Sequence, residues 1–214
     1  MLVLDGPDGC GKSTQVARLV QWLRDHHLDP VEVREPGGTA IGERIRAILL
    51  DPACEEMDLR CEMLLYMASR AQLCLEKIRP ALAAGRTVLS DRFLSSTLAY
   101  QGTAGGLSAE SIVAVGEVAT EGIRPDLTVI LDVDERIAAT RLSPLLDRIE
   151  QRGLDFHRRV REGYLDQVRR WPDRYALLDA TQPPEVVFEQ LVSALAAAGA
   201  RWVPRAPVAA RRSG

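Results

Sequence analysis

The run Met1-Leu2-Val3-Leu4-Asp5-Gly6-Pro7-Asp8-Gly9-Cys10-Gly11-Lys12-Ser13 decides the fold. A short apolar stretch of strand character enters a glycine-rich turn, and Thr14 to Arg24 then continues with helical period. Gly6 to Ser13 match G-x-x-x-x-G-K-[ST] in the strand-to-helix context where that pattern cradles phosphate. Gly6, Gly9 and Gly11 let successive backbone N–H groups turn toward one anion, and the start of the helix adds its partial positive charge. Lys12 is expected to reach the β and γ phosphates of a nucleoside triphosphate, with Thr14 close by. The Ser13 hydroxyl is expected to hold Mg²⁺ bridging those phosphates.

Outward from this run the same alternation repeats. Short β-branched-rich segments at Met1–Asp5, Val31–Arg34, Thr87–Asp91, Leu127–Asp132 and Tyr175–Asp179 are separated by stretches long enough for crossover helices. The pattern predicts an α/β fold of three layers, α/β/α, around a five-stranded parallel sheet. Asp58 to Glu76 reads as a long helix limited by Pro80, Ser108 to Thr120 as another, and Glu185 to Ala198 as the last. One domain is expected over 1–203, with a short lid segment at about 143–153. The tail, 204–214, carries turn formers and arginines with little to bury and reads as frayed.

Composition narrows the class. The 214 residues are 46% hydrophobic and 27% charged, as in an ordinary globular protein. Twenty-seven basic residues against 30 acidic ones give a net charge of −3, so no global field draws in nucleic acid or an anionic membrane. Cys10, Cys54, Cys61 and Cys74 form no C-x-x-C pair, which supports neither structural zinc nor a disulfide framework. The start carries no basic n-region and meets Asp5 early, and no apolar run is long enough to span a membrane, so a reducing cytoplasm is the expected location.

The cradle alone leaves GTPase, ATPase motor and small-molecule kinase open. No N-K-x-D guanine-reading motif is present, and the chain holds no second nucleotide-binding module, so a small kinase remains. In open α/β sheets ligands collect beyond the carboxyl ends of the strands. Those ends are polar here: Arg34-Glu35-Pro36-Gly37-Gly38-Thr39 after the second strand, Asp91-Arg92 after the third, Asp132 after the fourth, and Asp179-Ala180-Thr181 after the fifth. Each segment also reads as a turn or cap, but together they favour a shared site. Tyr66 and Arg70, four apart, share one helix face. They read either as a core and a surface residue, or as a ring that stacks a flat base and a guanidinium that donates to its edge.

The cradle, R-E-P-G-G-T, the helix with Tyr66 and Arg70, D-R-F-L-S-S-T-L-A-Y-Q-G (Asp91 to Gly102), R-P-D-L-T-V-I-L-D-V (Arg124 to Val133) and D-R-I-E (Asp147 to Glu150) together resemble the bacterial thymidylate kinase family. The resemblance runs in order from Leu2 to about Ala198. It implies a P-loop kinase fold and transfer of the γ-phosphoryl of ATP to thymidine monophosphate (dTMP) with Mg²⁺. A homodimer is also implied, with Asp58–Glu76 and Ser108–Thr120 as candidate surfaces.

By the same resemblance, Tyr66 stacks on thymine and Arg70 meets its O4. Arg92 holds the acceptor phosphate, Asp8 binds the acceptor's sugar hydroxyl, and Asp91 supports Mg²⁺ through water. Ser96, Thr97, Tyr100 and Gln101 resemble sugar and base contacts, with Tyr100 where a ribose 2′-hydroxyl would go. Arg34 and Pro36 begin the acceptor-phosphate side, and Arg141 and Thr181 fall on the ATP side. One branch of the family places a basic residue in the cradle where this chain has Gly9, so the transition-state cation is expected from the lid. Leu142 to Leu146 depart from the arginine-rich bacterial pattern. Among Arg141, Arg148 and Arg152, the expected finger is Arg148, swinging over the phosphates.

Overall fold

The structure, a computed structural model, describes residues 1–198. The expected tail at 204–214 lies outside the described residues. Five strands form one parallel sheet in the order β2-β3-β1-β4-β5: β1 (Leu2–Asp5), β2 (Val31–Arg34), β3 (Val88–Asp91), β4 (Leu127–Asp132) and β5 (Tyr175–Asp179). Each expected strand is present to within a residue. The register sets Leu4 opposite Asp91 on one side and Val129 on the other, which brings the polar ends of β1, β3 and β4 to one edge.

Alternation along the central strands splits the core. Leu2, Leu4, Leu89, Val129 and Leu131 face α1 (Lys12–Asp25) and α9 (Pro184–Ala197) through Val16, Leu19, Leu23, Leu191 and Leu195. Val3 and Val88 pack on the other face against Leu73, Cys74, Ile78 and Phe93, while Ile130 meets Tyr100, Val160 and Tyr164. Helices therefore cover both faces, the three-layer α/β/α arrangement.

The long helix differs from expectation only at its C-terminal end. α3 (Leu59–Leu73), capped by the Asp58 carboxylate on Arg60 N, runs through a wide π-helical turn at Cys74–Ile78 into α4 (Arg79–Ala83). Pro80 does not end the helix: the turn before it is widened to a π-helix, closed by Arg79 N donating to Cys74 O, and Pro80 follows at the start of α4. The stretch after β3 forms α5 (Leu94–Thr97) and a second π-helical turn, Leu98–Ala104. α6 (Ala109–Thr120), N-capped by Ser108, and α7 (Glu135–Ala139), N-capped by Asp134, follow. The segment expected as a lid joins α7 to α8 (Leu154–Arg170) without helix or strand.

Candidate active site

Backbone geometry shows why the cradle needs its glycines. Gly6, Gly9 and Gly11 all lie at positive φ, and a Cβ on Gly9 would come within 2.4 Å of the Ala138 carbonyl oxygen. Gly11 opens α1 with no side-chain cap, so the first amides of the helix remain available to an anion. Lys12 is buried and folds back over the loop, its Nζ donating to Gly6 O at 3.0 Å and Pro7 O at 2.9 Å. Phosphate oxygens at the cradle would compete with those carbonyls for the ammonium group.

A cavity of about 760 Å³ opens over this loop, lined by Gly9, Gly11, Lys12, Ser13, Thr14, Asp91 and Arg141 among others. A second cavity beside it is walled by Pro36, Tyr66, Ser96, Thr97, Tyr100 and Gln101. Asp8, Glu35, Arg46 and Arg92 line both. Two sites that share one charged wall are what a reaction between two bound anions requires.

Arg92 stands at that junction with its backbone at φ 71°, in the left-handed region. Its Nη1 donates to Asp5 at 3.2 Å, Gly6 O at 3.0 Å, Ser96 at 3.0 Å and Tyr164 OH at 3.1 Å, and its Nη2 donates to Asp8 at 2.5 Å. Asp5 is wholly buried and also accepts from Gly6 N, both Ser95 and Ser96 hydroxyls, and Tyr164 OH. The carboxylate that ends β1 thus ties the cradle to the arginine that follows β3. Burial works against ionisation of Asp8, yet Arg92, Lys12 and the Tyr100 hydroxyl outweigh it and hold the carboxyl below the ordinary aspartate range.

The wall of the second cavity is built by three elements. Glu35-Pro36 is a cis peptide, Thr39 caps α2 (Ala40–Leu50) by accepting from Gly42 N at 3.0 Å, and Arg46 of α2 returns to donate to Pro36 O at 3.0 Å. Arg34 also lines the phosphate cavity and pairs with Glu43. Tyr66 lines the second cavity, where burial raises its phenol above the ordinary tyrosine range. Arg70 lies one layer behind. It is 1% exposed and donates to Glu35 and to Thr97 Oγ1 at 3.1 Å, so the cavity wall consists of its partners rather than its own guanidinium. Burial raises the Glu35 carboxyl despite Arg70 beside it.

Besides Arg70, which stands behind the cavity wall and not in it, two sequence expectations need correction in placement. Arg148 does not hang over the phosphates: it is buried, its Nε donates to Leu49 O at 2.9 Å and its Nη2 to Glu62 at 2.7 Å. The D-R-I-E run makes a tight turn that presents it inward, with Asp147 Oδ1 accepting from Ile149 N and Glu150 N, and Glu150 accepting from Asp147 N. Thr181 turns back to donate through N and Oγ1 to Asp179, and its neighbours Ala180 and Gln182 line the phosphate cavity instead. Arg141 is at that cavity, donating to Ala180 O at 3.0 Å.

Arg46, Glu35 and Tyr164 escaped the sequence reading. Glu35 was in view within R-E-P-G-G-T, but nothing local marked the other two.

The residues present fit Mg²⁺ held jointly with a nucleotide. Ser13 and Asp91 both line the phosphate cavity, and Asp91 Oδ1 is buried without a hydrogen-bond partner among the described residues. No group of three or more His, Cys, Asp or Glu gathers to hold a metal alone among the described residues, which suits an ion coordinated mainly by phosphate oxygens and water.

A strand-to-helix phosphate cradle at the switch edge of a parallel sheet, beside a second anion-ready cavity, defines a P-loop nucleotide-binding protein with an acceptor site. Residues 4–191 match the family described as thymidylate kinase. The chain is 46% identical over 202 residues to a thymidylate kinase of Deinococcus radiodurans, covering 92% of this chain and 97% of that protein. It is 44% identical over 195 residues to one of a Geobacillus species, covering 89% and 93%. A crystal structure of thymidylate kinase from Ehrlichia chaffeensis superposes with a TM-score of 0.76 at 28% identity, covering 91% of this chain and 97% of that one. The chain belongs to the thymidylate kinase family.

Proposed function

We propose that the chain transfers the γ-phosphoryl group of ATP to dTMP, giving the diphosphate on the route to dTTP. The observation that carries this reading is the shared wall: Arg92 and Asp8 border both cavities, so one guanidinium faces the place where donor and acceptor phosphates meet. Phosphoryl transfer needs alignment and charge neutralisation more than covalent catalysis. Lys12 and the amides of the cradle hold the nucleotide phosphates, and Arg141 lies at the side where adenine would stack. Ser13 and Asp91 would hold Mg²⁺, which would supply neutralisation of the phosphate charge.

On the acceptor side Arg92 and Arg46 receive the monophosphate, with Arg34 at its edge. Tyr66 stacks on the base, and Thr97 and Gln101 meet its rim. Arg70 reaches thymine O4 through an adjustment of its Glu35 and Thr97 contacts. Tyr100, held by Asp8 at 2.6 Å, closes the space beside the sugar, which favours deoxyribose. A working unit of one domain over 1–203, assembled as a homodimer in the cytoplasm, completes the proposal. Leu64 and Leu75 on the α3 side and Val118 on α6 are exposed apolar residues suited to a subunit contact, and sedimentation at micromolar concentration checks it. Among the described residues no helix is long and apolar enough to cross a membrane.

Incubating the protein with ATP, Mg²⁺ and dTMP should yield the diphosphate, with deoxyuridine, cytidine and guanosine monophosphates as competitors. ATP binding without a phosphorylated acceptor would overturn the reading.

A further inference from the structure

Glu62 is a fully buried carboxylate on α3, one turn before Tyr66, and its two oxygens serve different parts of the molecule. Oε1 accepts from Gln101 Nε2 at 2.7 Å. Oε2 accepts from Arg148 Nη2 at 2.7 Å and from Arg152 Nη2 at 2.8 Å. Gln101, 2% exposed, lines the acceptor cavity, whereas both arginines belong to the segment between α7 and α8. A carboxylate can only accept, so Gln101 must turn its amide nitrogen to Glu62. Its carbonyl oxygen is the end of the amide that remains for a ligand.

We propose that Glu62 is a positioning residue that fixes the Gln101 amide, so that the acceptor cavity offers a hydrogen-bond acceptor to the edge of the base. The proposal rests on the reading of that cavity as a pyrimidine monophosphate site. Thymine and uracil carry an N–H at ring position 3, which an oxygen satisfies, while cytosine presents a lone pair there and is repelled. The arginines supply the directionality. If Glu62 becomes glutamine, two guanidiniums claim its amide oxygen, because its NH₂ cannot face them. That NH₂ then points at Gln101, whose own amide must invert to accept it, and the cavity presents a donor.

The test measures kcat and KM for dTMP and deoxycytidine monophosphate in wild type and in Glu62→Gln. Wild type that fails to phosphorylate dTMP would overturn the kinase reading, a result distinct from any outcome for the variant. Glu62→Gln should raise the KM for dTMP about tenfold or more and shift the cytidylate-to-thymidylate ratio of kcat/KM upward by at least about tenfold, with the KM for ATP unchanged within about twofold. Loosened packing alone would lower kcat for both acceptors together, and an unchanged ratio in the folded variant overturns the proposal. If the single variant melts, the exchange Glu62→Gln with Gln101→Glu keeps the charge of the cluster and again leaves an oxygen facing the cavity. That exchange should retain the thymine preference within about threefold, and a folded exchange without the preference overturns the proposal.

Discussion

Arg92 Nη2 donates to Asp8 Oδ1 at 2.5 Å across the line where the two cavities meet, and Arg92 Nη1 reaches Asp5 beneath the cradle. One guanidinium therefore joins the phosphate loop, the sheet and the acceptor wall through a fork of fixed donors. Lysine offers the same charge without that fork. Arg92→Lys should lower kcat by about 10²-fold or more while the KM for ATP changes little, because the lost contacts belong to the acceptor and the transferring group. Steady-state kinetics with each substrate varied checks this.

Asp8 ties stability to pH. Its folded carboxyl titrates below its ordinary value of 3.8, so the stability it contributes is present above that value and is lost as the pH falls through the folded one. Asp8→Asn removes this dependence. Urea midpoints should show wild type ahead of Asp8→Asn at pH 6, with the gap closing below pH 3.8; a constant gap would mean that the charge of Asp8 plays no part.

Lys12→Ala should separate chemistry from folding. Among the described residues its ammonium bonds only to groups of the loop itself, Gly6 O, Pro7 O and Cys10 Sγ, so its removal strands no distant partner among them. Turnover should fall by several orders of magnitude while the melting temperature stays within a few degrees of wild type.

The contrast between Lys12 and Arg148 shows what the sequence could carry. Lys12 is placed by glycines a few residues away, and the five strands announce themselves by composition within single segments, so cradle and sheet were legible. Arg148 reads as a free lid cation because its partner, Glu62, lies 86 residues earlier, on α3, and has no motif of its own. The same distance hid Tyr164, which reaches Asp5 from 159 residues away. Thr181 was misplaced by one residue because an Asx-type turn on Asp179 rotates its side chain outward, and no pattern of residue types records that rotation.

Arg148→Ala should accordingly behave as a stability variant. Removing one partner of a buried pair costs about 3–5 kcal/mol, and the lower end applies because Arg152 and Gln101 still satisfy Glu62. Denaturation should show that loss, with kcat retained within about tenfold below the melting transition. Arg141→Ala, at the phosphate cavity, should do the opposite: near-normal stability and a raised KM for ATP. A fall of about 10³-fold in kcat for folded Arg148→Ala would restore it as the transition-state cation.

Arg70 carries two burdens that can be separated. It neutralises Glu35, whose carboxyl is buried with it at 2.6 Å, and in the proposed function it also reads thymine O4. Arg70→Ala strands the Glu35 charge, so about 3–5 kcal/mol of stability should be lost together with acceptor affinity, and the two effects would be confounded. Adding Glu35→Gln removes the stranded charge. Because the residues touch, the double variant should be more stable than the sum of the single losses, recovering about 1–3 kcal/mol relative to additivity. Acceptor affinity should not recover with it, since no donor has been returned to the base. Thermal melting and dTMP binding by calorimetry, measured on the single and double variants, distinguish the cases: recovery of both properties would make Arg70 solely the counter-ion of Glu35, and recovery of stability alone supports its reading of the base.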